Sequence, residues 1–229
     1  MEIKLSLLVL SILTMNIHVC FGQKYGVSSF TPDQNRLYRN AYRTYSKKQY
    51  SKAITLFDSL LKDHPDHCEV ISLKSASLKG LKSFDAAIKG FNNALSCYYD
   101  DPFSHEQLGH IYSVLEKYDS AEHYYSEALK SDKSKLHYEH FANLAITKRA
   151  QKDYSASIEY LNKWITDCKQ STTPESSCGN AWYLRADSYH ILEKYNLALT
   201  DINKHLENYP DDTLALKLKK EVEICLAEK

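Results

Sequence analysis

The sequence predicts an all-α fold: a solenoid of about five antiparallel helix pairs, closed by a C-terminal capping helix. Three observations predict it. A pattern of large and small residues recurs with a period near 34 residues over most of the chain. The five prolines, Pro32, Pro65, Pro102, Pro174 and Pro210, separate long proline-free stretches. Proline lacks an N–H and clashes with the preceding turn, so it marks helix ends rather than interiors. A last segment outside the repeat places Leu214, Leu218, Val222 and Cys225 along one helical face.

Residues 1–22 come first and read as a secretory signal peptide. Lys4 gives a positive start, Leu5 to Met15 is apolar apart from Ser6, Ser11 and Thr14, and Cys20 and Gly22 are the small residues three and one places before Gln23. Asn16 and His18 interrupt the run, which falls short of the roughly 20 apolar residues that span a bilayer. Cleavage after Gly22 is expected, leaving no integral membrane segment. Acylation of Cys20, the lipoprotein alternative, is disfavoured by the bulk of Val19. The mature chain from Gln23 is therefore expected outside the cytoplasm, periplasmic or secreted. Residues 23–33 read as a short flexible leader.

The repeat occupies the next segments. Tyr50, Phe84, Tyr118, Tyr154 and Tyr195 are spaced by 34, 34, 36 and 41 residues. Three places after each stands a small residue: Ala53, Ala87, Ala121, Ser157 and Ala198. Four places further stands a large one: Phe57, Phe91, Tyr125, Leu161 and Ile202. Nine places before each aromatic is another small residue: Ala41, Ser75, Gly109, Ala145 and Ala186. Small residues let two helices approach, the large one fills the space between neighbouring pairs, and the aromatic covers the turn. No unit can bury its apolar face alone, so the units must stack. The copies are placed at 34–67, 68–101, 102–135, 138–171 and 179–212, with the cap at 213–229. Asp101-Pro102 reads as an N-cap followed by a first-turn proline.

These columns resemble the tetratricopeptide repeat. The fifth copy carries Trp182, Ala186, Tyr189, Tyr195, Ala198 and Pro210. The third carries Leu108, Gly109, Tyr112, Tyr118, Ala121, Tyr125 and Ala128, and the first keeps Ala41, Tyr50, Ala53, Phe57 and Pro65. The resemblance covers roughly 34–212 and, with the signal, is to an exported bacterial member. It implies a right-handed superhelix whose first helices line a concave groove for a peptide or protein partner. The groove residues it implies are Tyr38, Tyr42, Tyr45, Leu73, Phe103, Glu106, His110, Asn143, Arg149, Tyr183 and Asp187. A carboxylate clamp of the chaperone-binding subgroup is not expected, because two of its lysines are missing in either register. Copy four departs from the pattern at Ser157 and Trp164, copy five at His205, and residues 170–178 lengthen the link between them. Looser or differently angled packing is expected there.

Other chemistries are weighed against this. Lys plus Arg equals 29 and Asp plus Glu equals 29, so the basic footprint of a nucleic-acid binder is missing. His64, His67 and Cys68 lie close in sequence beside Asp63 and Asp66, and His137 and His140 form a second pair. His64 and His67 lie at a repeat boundary, where polar turn residues are expected, a structural zinc site usually needs four ligands, and neither metal nor cofactor is expected. No phosphate-cradling glycine loop, Gly-x-Ser-x-Gly or His-Glu-x-x-His occurs, so no enzyme is expected. In an oxidising compartment, Cys68 with Cys97 and Cys168 with Cys178 are the disulfide candidates, leaving Cys225. The expected function is a non-catalytic adaptor holding a peptide or protein. The alternatives are a permanent accessory subunit of an envelope or secretion assembly and a metal- or redox-handling protein.

Overall fold

The computed structural model describes residues 30–132, 138–170 and 178–228. The signal segment 1–22, residues 23–29 of the leader, His137 and the centre of the long link lie outside the described residues. Among those described there are eleven α-helices and no strand. They are α1 (Pro32–Ser46), α2 (Tyr50–Asp63), α3 (Cys68–Gly80), α4 (Phe84–Cys97), α5 (Pro102–Val114), α6 (Tyr118–Ser131), α7 (Tyr138–Ala150), α8 (Tyr154–Gln170), α9 (Gly179–Ile191), α10 (Tyr195–Asn208) and α11 (Thr213–Ala227). The fold is an all-α helix-pair repeat. The chain divides into two units, residues 1–82 and 83–229.

Each column of the sequence pattern has a structural counterpart. The five aromatics are the first residues of α2, α4, α6, α8 and α10. Every residue of the three other columns is buried, from Ala41 and Ala53 through Ile202. The small residues sit where a larger side chain has no room. A Cβ on Gly109 would lie 2.6 Å from the Tyr125 ring; outside the columns, one on Gly179 would lie 2.1 Å from the Tyr209 ring.

The turns inside the pairs follow one backbone solution. Lys48, Lys82, Glu116, Lys152 and Glu193 all have φ between 55° and 62°. Each stands two places before a column aromatic. The left-handed region is strained for residues with a Cβ, which is why glycine is the usual choice there. None of the five is glycine, so the turn leaves no mark in the glycine pattern.

The first unit packs α1, α2 and α3. Its core holds Phe30, Ala41, Ala53, Phe57, Leu60, Val70 and Leu73. The leader expected over 23–33 therefore ends earlier. Phe30 is buried, Thr31 caps α1 in a capping box with Gln34, and Pro32 opens the helix. The capping box satisfies N–H groups that the helix end leaves without partners. His64 and His67 also have structural roles here. The Phe30 ring stacks on His67 at 4.6 Å and meets His64 edge-on at 5.0 Å. His67 Nδ1 accepts from the Val70 N–H as the cap of α3. Burial lowers the His67 pKa from its ordinary value.

The second unit packs α4 to α11. Asp101 caps α5 by accepting from the N–H groups of Phe103 and Ser104, with Pro102 opening the helix. The junction between copies four and five is filled with apolar side chains. Trp164 enters a cluster with Ala142, Ala145, Leu161, Ile165, Cys168, Cys178, Ala181 and Leu184. His205, the other departure, is buried and faces the Gly179 carbonyl and the Asp212 carboxylate, each at 2.9 Å. The α11 cap buries Ala215, Leu218 and Val222, whereas Leu214 is 45% exposed. Leu214 lies at the start of the helix and off the face that Ala215 takes.

Candidate partner-binding surfaces

In the first unit, α1 carries Tyr38, Tyr42 and Tyr45, all half-buried, and α3 supplies Leu73, which is buried in the core. The Tyr42 and Tyr45 ring centroids are 6.3 Å apart, and Tyr45 lies 6.1 Å from Tyr50. The Tyr38 hydroxyl donates to a Glu69 carboxylate oxygen. Burial first, then that bond, pushes the Tyr38 hydroxyl well above the usual tyrosine range. Burial pushes Tyr45 up to about 12. At neutral pH both phenols are thus neutral, and the Tyr38 proton is already donated in the bond to Glu69.

In the second unit, α5 carries Phe103, Glu106 and His110, and α7 carries Asn143 and Arg149. Asn143 Nδ2 donates to Glu106 Oε1 at 3.3 Å. His110 Nε2 faces the same oxygen at 3.7 Å, and Tyr125 bonds to His110 Nδ1 at 2.9 Å. A proton on Nε2 makes both contacts at once: the Tyr125 hydroxyl donates to Nδ1, and Nε2–H points at the carboxylate. Burial and the Glu106 charge raise the Tyr125 pKa. Phe103 lies edge-on to Phe91 at 6.4 Å.

Arg149 and Asp187 are brought together, and this changes their reading. Arg149 pairs with Asp187 and donates to the Leu184 carbonyl at 2.9 Å and to Ser188 Oγ at 2.5 Å. Both charges are engaged in joining α7 to α9. Tyr183 is half-buried near His205, with ring centroids 5.5 Å apart. Burial and then the charges of Asp187 and Asp212 raise its pKa.

The structure adds residues that the sequence reading did not select. Glu69 stands 34 places before Phe103, so the repeat period alone pointed to it. His140 is buried and bonds Asp132 Oδ2 at 2.9 Å. Its signal was the second histidine of a pair read for metal. Among the described residues no group of three or more His, Cys, Asp or Glu is gathered to hold a metal ion. Nor is any described helix long and apolar enough to cross a membrane. No disulfide links the described cysteines.

The comparisons agree with this architecture. Models of the tetratricopeptide repeat match residues 107–172 and 179–212. Among solved structures, YrrB, described as a TPR protein with an unusual peptide-binding site, superposes with a TM-score of 0.64 at 17% identity, covering 79% of this chain and 88% of YrrB. MamA residues 41-end from Desulfovibrio magneticus RS-1 superposes with a TM-score of 0.66 at 13% identity, covering 79% and 98%. At such identities the likeness is one of fold. The auxiliary subunit NAA15 of the N-terminal acetyltransferase A complex of Arabidopsis thaliana is 27% identical over 146 residues, 61% of this chain and 15% of that protein. A DnaJ homolog subfamily C member 7 homolog of Dictyostelium discoideum is 25% identical over 195 residues, 78% of this chain and 34% of that protein. The chain thus spans 15% and 34% of these relatives' lengths.

Proposed function

We propose that this chain, a tetratricopeptide-repeat protein, is a non-catalytic scaffold that holds a peptide or protein partner against the first helices of its pairs. The repeat fold supports protein binding as the general role. The observation that carries the finer reading is the α1 face, where the half-buried Tyr42 and Tyr45 rings lie 6.3 Å apart. Tyrosine at such a surface combines large contact area with a polar tip, the composition of interface hot spots. Phe103, Glu106 and His110 form a second surface, on α5. The peptide-binding site in the description of YrrB supports the same role.

The scaffold acts outside the cytoplasm. The signal-peptide pattern of residues 1–22 supports this, and cell fractionation with N-terminal sequencing tests it. A mature protein beginning at Gln23 in the envelope or medium is the expected result. Full-length protein retained in the cytoplasm would sink it.

A second reading is a permanent accessory subunit, supported by the relative named as an auxiliary subunit. Affinity capture of residues 23–229 separates the two, with Tyr42→Ala and Phe103→Ala run in parallel. A partner lost on either substitution supports a transient peptide scaffold. A stoichiometric partner that survives both supports the fixed subunit.

A further inference from the structure

The five cysteines of the described chain are not equivalent. Cys97 is exposed, Cys68 and Cys225 are half-buried, and Cys168 and Cys178 are each only 3% exposed. The last two belong to one apolar cluster, with Trp164, Ile165 and Ala181. They reach it from opposite sides of the junction between copies four and five.

Two departures from the repeat put them there. Helices α2, α4, α6 and α10 each have 14 residues, whereas α8 has 17. Cys168 lies on that extension, at the column where the other four second helices have already reached their C-cap. Cys178 is the N-cap of α9 and its side chain makes no capping bond. Thr31, His67 and Asp101 fill the same position ahead of α1, α3 and α5, and each accepts a backbone N–H. A thiol is a weak acceptor, so a cap substitution of this kind removes stabilisation from the helix start. The junction thus gives up a cap, lengthens α8, and gathers two sulfurs in one buried apolar cluster.

We propose that Cys168 and Cys178 form a disulfide that staples α8 to α9, made while the junction is still open during folding. The oxidant is a disulfide, R–S–S–R. One cysteine thiolate attacks an R–S–S–R sulfur, forming a mixed disulfide and releasing one RS⁻. The second cysteine thiolate attacks the cysteine sulfur of the mixed disulfide and releases the other RS⁻. The two protons lost by the cysteines end on the two RS⁻, giving two RSH. The cysteine pair loses two electrons and the small disulfide gains them. Once the cluster has closed, burial keeps both thiols out of reach of the oxidant, so timing is part of the inference.

The test is refolding of purified residues 23–229 from denaturant with reduced and oxidised glutathione, followed by alkylation and unreduced peptide mapping. It uses purified chain and does not depend on the proposed location. The expected product links Cys168 to Cys178 and leaves Cys97 alkylated. Its melting temperature exceeds that of the reduced chain by on the order of 5–10 °C, and Cys168→Ala or Cys178→Ala removes the difference. A Cys97→Ala chain, which lacks the exposed thiol, gives the same linkage. Alkylation of both buried cysteines, linkage of either to another cysteine, or linkage without a change in melting temperature overturns the proposal.

Discussion

The junction between copies three and four and the junction between copies four and five share one repeat design and each buries an apolar cluster, but they differ in the contacts laid around it. At the first, polar and charged pairs bridge the copies. His140 bonds Asp132, Lys148 meets Glu122 at 2.7 Å, Gln151 donates to Asp119 at 2.8 Å, and Asn143 donates to Glu106. At the second, an apolar cluster built on Trp164 fills the space, and Arg149 ties α7 to α9 along its edge. Column residues such as Ala121, Tyr125 and Leu161 are buried at both. The difference teaches that column residues such as Tyr125 pack between pairs at every junction, while residues such as Lys148 and Trp164 decide what further holds one pair to the next.

Four measurements bear on that contrast. Trp164→Ala should have the largest effect, lowering stability by about 3–5 kcal/mol in denaturant unfolding, the range for removing a buried aromatic. A loss below that expected for a surface residue would show that the apolar junction is not a principal support. Arg149→Ala comes next, at about 2–3 kcal/mol, because it leaves the Asp187 carboxylate and two buried-edge acceptors short of their donor. Lys148→Ala, at the polar junction, should cost only about 0.5–1 kcal/mol and less in high salt, since the pair is partly exposed. An equal loss for Lys148 and Arg149 would erase the distinction between the junctions.

The smallest effect is a pH slope. Burial alone would lower the His140 pKa, but the bond to Asp132 and the carboxylates of Glu106, Asp132 and Glu139 outweigh it, so the net shift is upward from 6.5. The folded state therefore binds that proton more tightly than the unfolded chain. The stabilisation is complete below 6.5 and is lost as pH rises through the raised value. His140→Gln, which keeps a donor but cannot titrate, should flatten thermal stability across that window. An unchanged slope in the variant would place its origin elsewhere.

The helix pairs were legible because their signal is local and repeated. Tyr50, Phe84, Tyr118, Tyr154 and Tyr195 announced the starts of five helices, and the small columns announced the buried contacts. The five left-handed turn residues were not legible, because lysine and glutamate do not advertise positive φ. The candidate surface was legible only in part. Tyr42 and Phe103 are half-buried side chains on first helices, but Leu73 proved to be core, and Arg149 and Asp187 proved to be each other's partners.

The sequence by itself determined the architecture: all-α, pairs in a fixed register, and which alanines, glycines and aromatics lie inside. That follows because helix periodicity and close packing act on residues within one or two turns of each other and repeat along the chain. Only the tertiary structure decided which polar groups meet. Asn143 and Glu106 lie 37 positions apart, and Arg149 and Asp187 lie 38 apart. Hydrogen bonds and ion pairs act over a few ångströms and depend on angle. Their making therefore rests on where each helix comes to lie beside its neighbour, and that placement is a property of the assembled stack.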